Sequence, residues 1–180
     1  MNEVAKTRAI WSWVELDILA QPKGIDIGYG GSLVMPNARG FDIQDGDANH
    51  ITRYVKDQYD YVFSSHCLEH LVAPYEALRE WWQLVRPGGY MFIIVPDEDL
   101  YEQGHWPSIY NNDHKHTFTI SKAKSWSPVS INMLGLQMLD SELKSLVLQD
   151  HGYQRRLLNV DQTRDMGALA QIQLVLRKQS

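Results

Sequence analysis

Cysteine is almost absent from this 180-residue chain, in which Cys67 is the single example. One cysteine excludes an intrachain disulfide and a zinc site built from several thiolates. Small extracellular domains often depend on disulfides, whereas cytoplasmic proteins keep their thiols reduced. The sequence therefore predicts a cytoplasmic protein.

Long apolar runs are missing as well. The longest stretch without a formal charge, residues 125–139, contains Pro128 and several polar residues. It is shorter than the roughly 20 apolar residues that a membrane-spanning helix needs. Charges such as Glu3, Lys6 and Asp17 interrupt the first twenty residues, where a signal peptide would have its apolar region. We expect neither a membrane span nor an export signal.

The chain also lacks an excess of positive charge. Lysine and arginine total 17 against 22 aspartates and glutamates, which gives a net charge of −5. Binding to a nucleic-acid backbone depends on basic side chains, and Arg155 with Arg156 make only a small patch. We therefore do not expect a nucleic-acid partner. The length and the 44% hydrophobic content suit one globular domain, residues 1–180.

Short apolar runs alternate with helical patterns along the chain. One helix is predicted over about residues 4–19 within the N-terminal segment 1–22, and others at 74–85 and at 141–149 with Asp140 as N-cap. Strands are predicted at 25–27, 40–43, 59–64, 90–95, 153–160 and 169–177. This alternation predicts an α/β sandwich with helices on both faces of the sheet. The last two predicted strands are close in sequence and are expected to pair antiparallel. The polar, aromatic segment 97–130 is expected to form a lid or an acceptor-site insertion.

Glycines directly follow the first predicted strand, at Gly28, Gly30 and Gly31. Without a Cβ atom they allow a ligand to approach the backbone closely, although a glycine-rich hairpin turn explains them too. Asp42 follows the next predicted strand, 16 residues after Asp26. An acidic residue at such a place can accept hydrogen bonds from both hydroxyls of a ribose, and the alternative is a solvated turn.

Taken in order, several segments resemble class I S-adenosylmethionine (SAM)-dependent methyltransferases. The resemblance is carried by Gly24–Gly30, Gly40–Ile43, Asp47–Ala48, Tyr59–Leu71 and Arg86–Tyr90. It implies a Rossmann-like three-layer sandwich with a mostly parallel sheet and an antiparallel last strand. It also implies SAM as the cofactor and methyl transfer as the activity.

The resemblance assigns cofactor contacts by position. It implies that the methionine end of SAM is held by Asp26, Gly28, Tyr29 and Gly30. It implies that the ribose is bound by Asp42 with Ile43 and the adenine by Asp47 with Ala48. The floor of the pocket is assigned to Ser65 and His66. The spacing departs from the common pattern, because only eight residues separate Gly31 from Gly40 and only four separate Asp42 from Asp47. We therefore expect a sheet trimmed at one edge. This compression is similar to methyltransferases associated with surface-polysaccharide synthesis.

Three histidines are candidates for proton transfer. His114 and His116 lie in the long polar segment, where a neutral imidazole can accept a proton from a hydroxyl. The preferred base is His116 or His114, with His70 as a secondary candidate. The alternatives are a hydrogen-bonded polar loop, a metal site that includes Asp113, and for His70 a structural role between strand and helix. A metal is the less favoured of these interpretations.

The sequence favours SAM-dependent methyl transfer to a hydroxyl of a small molecule or sugar. The alternatives are N- or C-methylation of a small metabolite, a noncatalytic SAM-binding regulatory module, and a nicotinamide-dependent oxidoreductase. Pairing of the tryptophan-rich helix around Trp81 and Trp82 would allow a homodimer, although burial within one chain explains these residues as well.

Overall fold

A computed structural model describes residues 3–180 of the chain. Its helices are α1 (Glu3–Arg8), α2 (Trp13–Leu19), α3 (Pro74–Leu84) and α4 (Gln162–Asp165). Its strands are β1 (Gly24–Ile27), β2 (Arg39–Phe41), β3 (Tyr59–Ser65), β4 (Val85–Pro96), β5 (Thr117–Thr119), β6 (Ser130–Asn132), β7 (Ser141–Gln149) and β8 (Gln171–Lys178). The predicted N-terminal helix, residues 1–22, starts outside the described residues.

Six strands form the main sheet in the order β2-β1-β3-β4-β8-β7. The pairs β1–β2, β1–β3 and β3–β4 are parallel, whereas β8 runs antiparallel to both β4 and β7. The predicted mostly parallel sheet with an antiparallel last strand is therefore confirmed. No helix among residues 3–180 has the length and apolar character to cross a membrane.

Both faces of the sheet are covered, which makes three layers. On one face, Trp81 and Leu78 of α3 pack on β1, β3 and β4 side chains such as Ile25 and Ile93. On the other face, Ile18 of α2 and the preceding loop pack on alternate residues of β3 and β4 and on β8. This explains why β4 is an almost continuous apolar run, as expected for a central strand. Trp81 and Trp82 are buried within the chain, so they offer no free surface for a dimer.

The N-terminal segment differs from the single helix predicted over residues 4–19. The first helix ends at Arg8, and Ser12 caps the second, because its hydroxyl accepts a hydrogen bond from the Val14 N–H while the Glu15 carboxylate accepts one from the Ser12 N–H. This capping box begins α2 as a separate helix. The helical spacing of apolar residues continues across the interval between α1 and α2, so the sequence pattern did not show that two helices are present.

The sheet ends at β2, as the short spacings predicted. The chain passes from Gly31 to Arg39 without a helix, and after β2 it forms only a 3-10 turn at Ala48–Arg53 before β3. The strand β2 is therefore an outer edge of the sheet, and its carboxyl end is open on that side.

Two predictions for the C-terminal third are wrong. Residues 141–149 form the strand β7 and not a helix, and they pair with β8 from Ser141↔Lys178 to Gln149↔Gln171. The Asp140 carboxylate accepts a hydrogen bond from Trp82 Nε1 at 2.7 Å and does not cap a helix. Residues 153–160 form turns and not a strand, because β4 and β7 already occupy both sides of β8.

The segment 97–130 is fastened by one buried acid. Glu98 lies in a π-helical turn, Glu98–Glu102, and is fully buried. Its carboxylate accepts hydrogen bonds from Thr117, Ser125 and Ser130 and pairs with Lys122 at 2.7 Å. The parallel pair β5–β6 lies within and just beyond this segment. Glu98 thus holds the long connection against the carboxyl end of β4.

Candidate active site

The carboxyl ends of the parallel strands meet at one edge of the sheet. From β1 the chain crosses to β2 on one side, whereas β3 and β4 lie on the other, so the strand order reverses between β1 and β3. Ligands of open α/β sheets bind at this place, because the loops diverge and leave a crevice. Two cavities lie at this edge.

The first cavity has a volume of about 670 Å³ and is called the cofactor cleft below, because predicted cofactor contacts such as Asp42 and Asp47 line it. Its lining contains residues from the connections after β1, β2, β3 and β4: Gly28, Phe41, Asp42, Ile43, Gly46, Asp47, Ala48, Cys67, His70, Leu71, Asp113 and Lys115. The volume lies within the roughly 300–1,000 Å³ typical of small-molecule sites. Three carboxylates, an exposed isoleucine and a glycine backbone therefore face one space.

The glycine loop after β1 is held by contacts that exclude a side chain. Gly28 has a φ of +73°, and a Cβ atom there would lie 2.6 Å from the Cβ of Cys67. The next turn is fixed by the Asp42 carboxylate, which accepts a hydrogen bond from the Gly30 N–H at 2.8 Å. This hydrogen bond fixes the loop to the end of β2. Because Gly28 has no side chain, its backbone lines the cleft and leaves the space open.

The other end of the cleft is built around the 3-10 turn. Asp47 caps this turn by accepting hydrogen bonds from the backbone and side chain of Asn49, which together hold the pKa of Asp47 below its usual range. Ala48 leaves room beside it, and the Ala48 carbonyl accepts a hydrogen bond from Trp81 Nε1 at 2.9 Å. The cleft therefore has acidic acceptors at both Asp42 and Asp47.

Asp26 lies beneath the glycine loop. Its carboxylate is 1% exposed and accepts a hydrogen bond from the Val34 N–H at 2.6 Å. Burial raises the pKa of Asp26 from 3.8 to about 7, the Val34 hydrogen bond opposes this, and the charge of Asp42 adds to it. Asp26 supports the loop from inside and is not among the residues that line the cleft.

The second cavity, of about 380 Å³, lies beside the first. It is lined by Glu3, Lys6, His66, Glu69, His70, Pro96, Tyr101, Asn111, His114, Asp161, Thr163, Arg164 and Gly167. His70 lines both cavities. A molecule in the second cavity therefore lies next to the cofactor cleft across one imidazole.

A buried carboxylate with three histidines around it forms the centre of the second cavity. Glu69 is 1% exposed, and its Oε1 atom lies 3.4 Å from His66 Nδ1 and 4.0 Å from His70 Nε2. Burial would raise the pKa of Glu69, but the interactions with His66, His70 and His114 outweigh burial and lower it. For His66 burial acts in the lowering direction, and the interaction with Glu69 outweighs it and raises the pKa. Both effects favour a charged Glu69–His66 pair.

Two further carboxylates orient the other imidazoles. His70 Nδ1 lies 3.0 Å from Asp113 Oδ2, and His114 Nδ1 lies 2.7 Å from Glu102 Oε1. The rings of His70 and His114 contact each other edge to face, with centroids 5.0 Å apart. In each ring Nδ1 is occupied, so Nε2 is the nitrogen left for a ligand or a proton. We call Glu69, His70 and His114 the His–Glu cluster.

The structure distributes the predicted site residues between the two cavities and their supports. Gly28, Asp42, Ile43, Asp47 and Ala48 line the cofactor cleft, whereas His66, His70 and His114 line the second cavity. Asp26, Tyr29, Gly30, Ser65 and His116 line neither of them. Instead, the Tyr29 ring packs beneath Gly40, whose added Cβ would lie 2.7 Å from it.

Sequence reasoning passed over Glu69 and Glu102. Glu69 adjoins His70 in a short turn, so an acidic residue beside a histidine was the only local signal for it. Glu102 gave none, because its partner His114 lies 12 positions further along the chain.

Comparison with known proteins identifies the family. The profile of a family described as "Methyltransferase domain" matches residues 9–127, which is more than half of the chain. The chain therefore belongs to this methyltransferase family. No curated protein gave a match.

Solved structures show the same fold. A SAM-dependent methyltransferase from Archaeoglobus fulgidus is 16% identical, with a TM-score of 0.59 over 98% of this chain and 94% of that chain. A SAM-dependent methyltransferase from Thermotoga maritima is 13% identical, with a TM-score of 0.58 over 98% and 88%. The plantazolicin methyltransferase BamL, in complex with a triazolic desmethylPZN analog and SAH, is 12% identical, with a TM-score of 0.59 over 99% and 87%.

The protein is thus a Rossmann-like, SAM-dependent methyltransferase. This assignment confirms the predicted enzyme class and cofactor, and the alternative of a nicotinamide-dependent oxidoreductase is wrong. The cofactor cleft suits SAM chemically, because it combines acceptors for hydroxyl and amino groups at Asp42 and Asp47 with a small-residue wall at Gly28 and Ala48.

Proposed function

We propose that the second cavity holds the methyl acceptor, and that the reacting group is a hydroxyl of a small polar molecule, with a sugar as the preferred class. The observation that carries this proposal is the position of His70, which lines both cavities. An acceptor beside His70 lies next to the cofactor cleft. Methyl transfer needs the two reacting atoms at about 3–3.5 Å and in line, so adjoining cavities are the required arrangement.

The lining of the second cavity supports a hydroxylated acceptor. Lys6, Asn111, Asp161 and Arg164 provide donors and acceptors on several sides, and Tyr101 adds an aromatic ring against which a sugar face can pack. These side chains also bond within the chain, as Lys6 does with Glu3 and the Thr163 carbonyl, so a hydroxylated acceptor would use their remaining hydrogen-bonding capacity. The cavity therefore favours a molecule with several hydroxyl groups.

The cofactor, when bound, supplies a methyl group that is already activated by a positively charged sulfur. The protein must then position the hydroxyl, exclude water and accept the hydroxyl proton as the oxygen attacks. His70 is suited to that proton, because Asp113 engages Nδ1 and leaves Nε2 to accept it. Asp113 in turn fixes the orientation of the ring.

The test is transfer of labelled methyl groups from SAM to a panel of monosaccharides, nucleotide-linked sugars and the corresponding amino sugars. At saturating cofactor, His70→Gln should lower kcat by about 10²- to 10⁴-fold, the usual contribution of a general base. His116→Gln is the matched variant, because His116 lines neither cavity, and its kcat should stay within about twofold of wild type. Transfer confined to amino sugars would favour the N-methyltransferase alternative. A large loss in His116→Gln alone would assign the base to that residue and contradict the proposal.

A further inference from the structure

The His–Glu cluster brings three metal-ligating side chains together. One ligand atom from each of Glu69, His70 and His114 lies within 4.8 Å of the others. We propose that this cluster binds one divalent transition-metal ion, with zinc as the preferred ion. The inference concerns binding by these three residues and does not depend on which acceptor the enzyme methylates.

The Glu69 carboxylate is the first argument for an ion. Both of its oxygens are buried and make no hydrogen bond of good geometry within residues 3–180, and the imidazole of His66 lies 3.4 Å from one of them. Buried carboxylates are normally hydrogen-bonded, paired with a cation or bound to a metal, since an unsatisfied buried charge is costly. The ion pairs of Glu69 and Glu102 in the described chain involve only histidines, with neither lysine nor arginine. A divalent cation would satisfy the carboxylate and offset this buried negative charge.

The partners of the two imidazoles are the second argument. Asp113 lies 3.0 Å from His70 Nδ1, and Glu102 lies 2.7 Å from His114 Nδ1. Histidines that bind metals almost always donate their other ring N–H to a carboxylate, a carbonyl or water, which fixes the tautomer and makes the free nitrogen a better ligand. Here both histidines have that carboxylate, and both present Nε2 as the free ligand atom.

The backbone holds the cluster together across the fold. Glu69 and His70 lie in the 3-10 turn Leu68–His70 that follows β3, and His114 comes from the long connection after β4. The Lys115 N–H donates to the Glu69 carbonyl at 2.8 Å, which fixes the His114 segment beside the turn. Bonds of about 2.1 Å to a tetrahedral ion place ligand atoms about 3.4 Å apart, so the side chains need to close by about 1 Å.

The ligand types select the class of ion. Two imidazoles and one carboxylate are typical of zinc sites that keep an open fourth position, and they also suit iron(II), cobalt(II) or nickel(II). Magnesium and calcium prefer oxygen ligands. The open position would face the second cavity. If the proposed function holds, the ion would lower the pKa of an acceptor hydroxyl bound at that position, and the released proton would pass to solvent. His70 would then hold the ion and would not act as the base.

His70→Gln should lose activity whether His70 acts as a base or as a metal ligand. The test therefore measures metal binding directly. Purified wild-type protein is stripped with a chelator and titrated with Zn²⁺ by equilibrium dialysis, and with Co²⁺ by visible absorption. We expect one tightly bound equivalent and the intense absorption bands of four- or five-coordinate cobalt. Asp113→Asn changes an exposed side chain and should fold normally. It should weaken binding by about 10- to 100-fold, as for other residues that orient a ligand.

Further variants separate this site from general binding by histidines. Glu69→Gln should weaken binding at least as strongly as Asp113→Asn. His105→Gln is the matched control, because this histidine lies in the same connection, bonds Asn159 and lines neither cavity, and its variant should bind zinc like wild type. Absence of a stoichiometric site, or equal affinity in all these variants, would overturn the inference.

The outcomes also distinguish this inference from the proposed function. Methyl transfer to a hydroxyl by the stripped protein, without a stoichiometric metal site, would leave the proposed function standing and the metal inference wrong. A metal site that depends on the cluster, in a protein that methylates only amines, would confirm the metal inference and contradict the proposed hydroxyl acceptor.

Discussion

Asp26→Asn should stabilise the protein, and by an amount that grows with pH. The carboxyl lies beneath the glycine loop with 1% of its surface exposed, and the Val34 N–H donates the hydrogen bond that it accepts. Asparagine retains an oxygen for this bond but carries no charge. The substitution therefore removes the cost of ionising a buried acid while it keeps the local hydrogen bond.

The magnitude follows from the pKa of Asp26 in the folded and unfolded chain. A carboxyl with a pKa of about 7 in the native state and 3.8 when unfolded costs the native state about 4 kcal/mol at pH 8, at about 1.4 kcal/mol per pH unit between the two values. At pH 5 the cost is about 2 kcal/mol by the same relation. The unfolded chain releases the proton first, so the cost is absent well below pH 3.8 and complete above pH 7.

The assay is urea unfolding of both proteins at pH 5 and pH 8, followed by tryptophan fluorescence. The stabilisation of Asp26→Asn over wild type should be about 2–3 kcal/mol larger at pH 8 than at pH 5. A constant effect of replacing the side chain cancels from this comparison. Asp17→Asn, which removes an exposed carboxyl, should show little pH dependence. An equal stability difference at both pH values for Asp26→Asn would refute the reasoning.

Two other substitutions test the packing that supports the site. Gly28→Ala should destabilise the chain by about 1–2 kcal/mol through its positive φ alone, and the contact with Cys67 should add to this loss. The variant should also bind SAM more weakly in a calorimetric titration. Unchanged affinity and stability would contradict the account of the glycine loop. Gln173→Leu removes a fully buried acceptor of hydrogen bonds from Trp11 and Gln149. Urea unfolding should therefore show a free energy of unfolding lower by about 1–3 kcal/mol for each donor left unpaired. A variant as stable as wild type would show that these bonds contribute nothing.

One side of the cofactor cleft could be predicted from the sequence because its parts are local, whereas Asp113 reaches the cleft from the distant connection after β4. Gly28, Asp42, Asp47 and Ala48 lie within about twenty residues, and each follows a strand end or begins a turn. Glycine at positive φ and acidic residues after strands leave a signal in the sequence itself. Even the missing edge of the sheet was readable, since a short spacing cannot contain a helix and a strand.

The His–Glu cluster could be predicted only in part. His70 and His114 were both candidates, but they lie 44 positions apart (114 − 70), and nothing near either residue shows that their rings touch. The sequence favoured His116, which lines neither cavity, over His70, which lines both. The Lys115 N–H donates to the Glu69 carbonyl and holds this segment beside the Glu69 turn, with His114 at the second cavity.

The strand β7 shows the same limit in the fold. The pattern of residues 141–149 suits a helix as well as a strand, and the choice depends on whether β8 offers a free edge with matching register. Local composition thus determined the glycine loop, the acidic acceptors and the buried central strand, since neighbouring residues alone impose those conformations. Only the tertiary structure decided the partner of β8 and the assembly of the histidines around Glu69, because both depend on contacts between segments far apart in the chain.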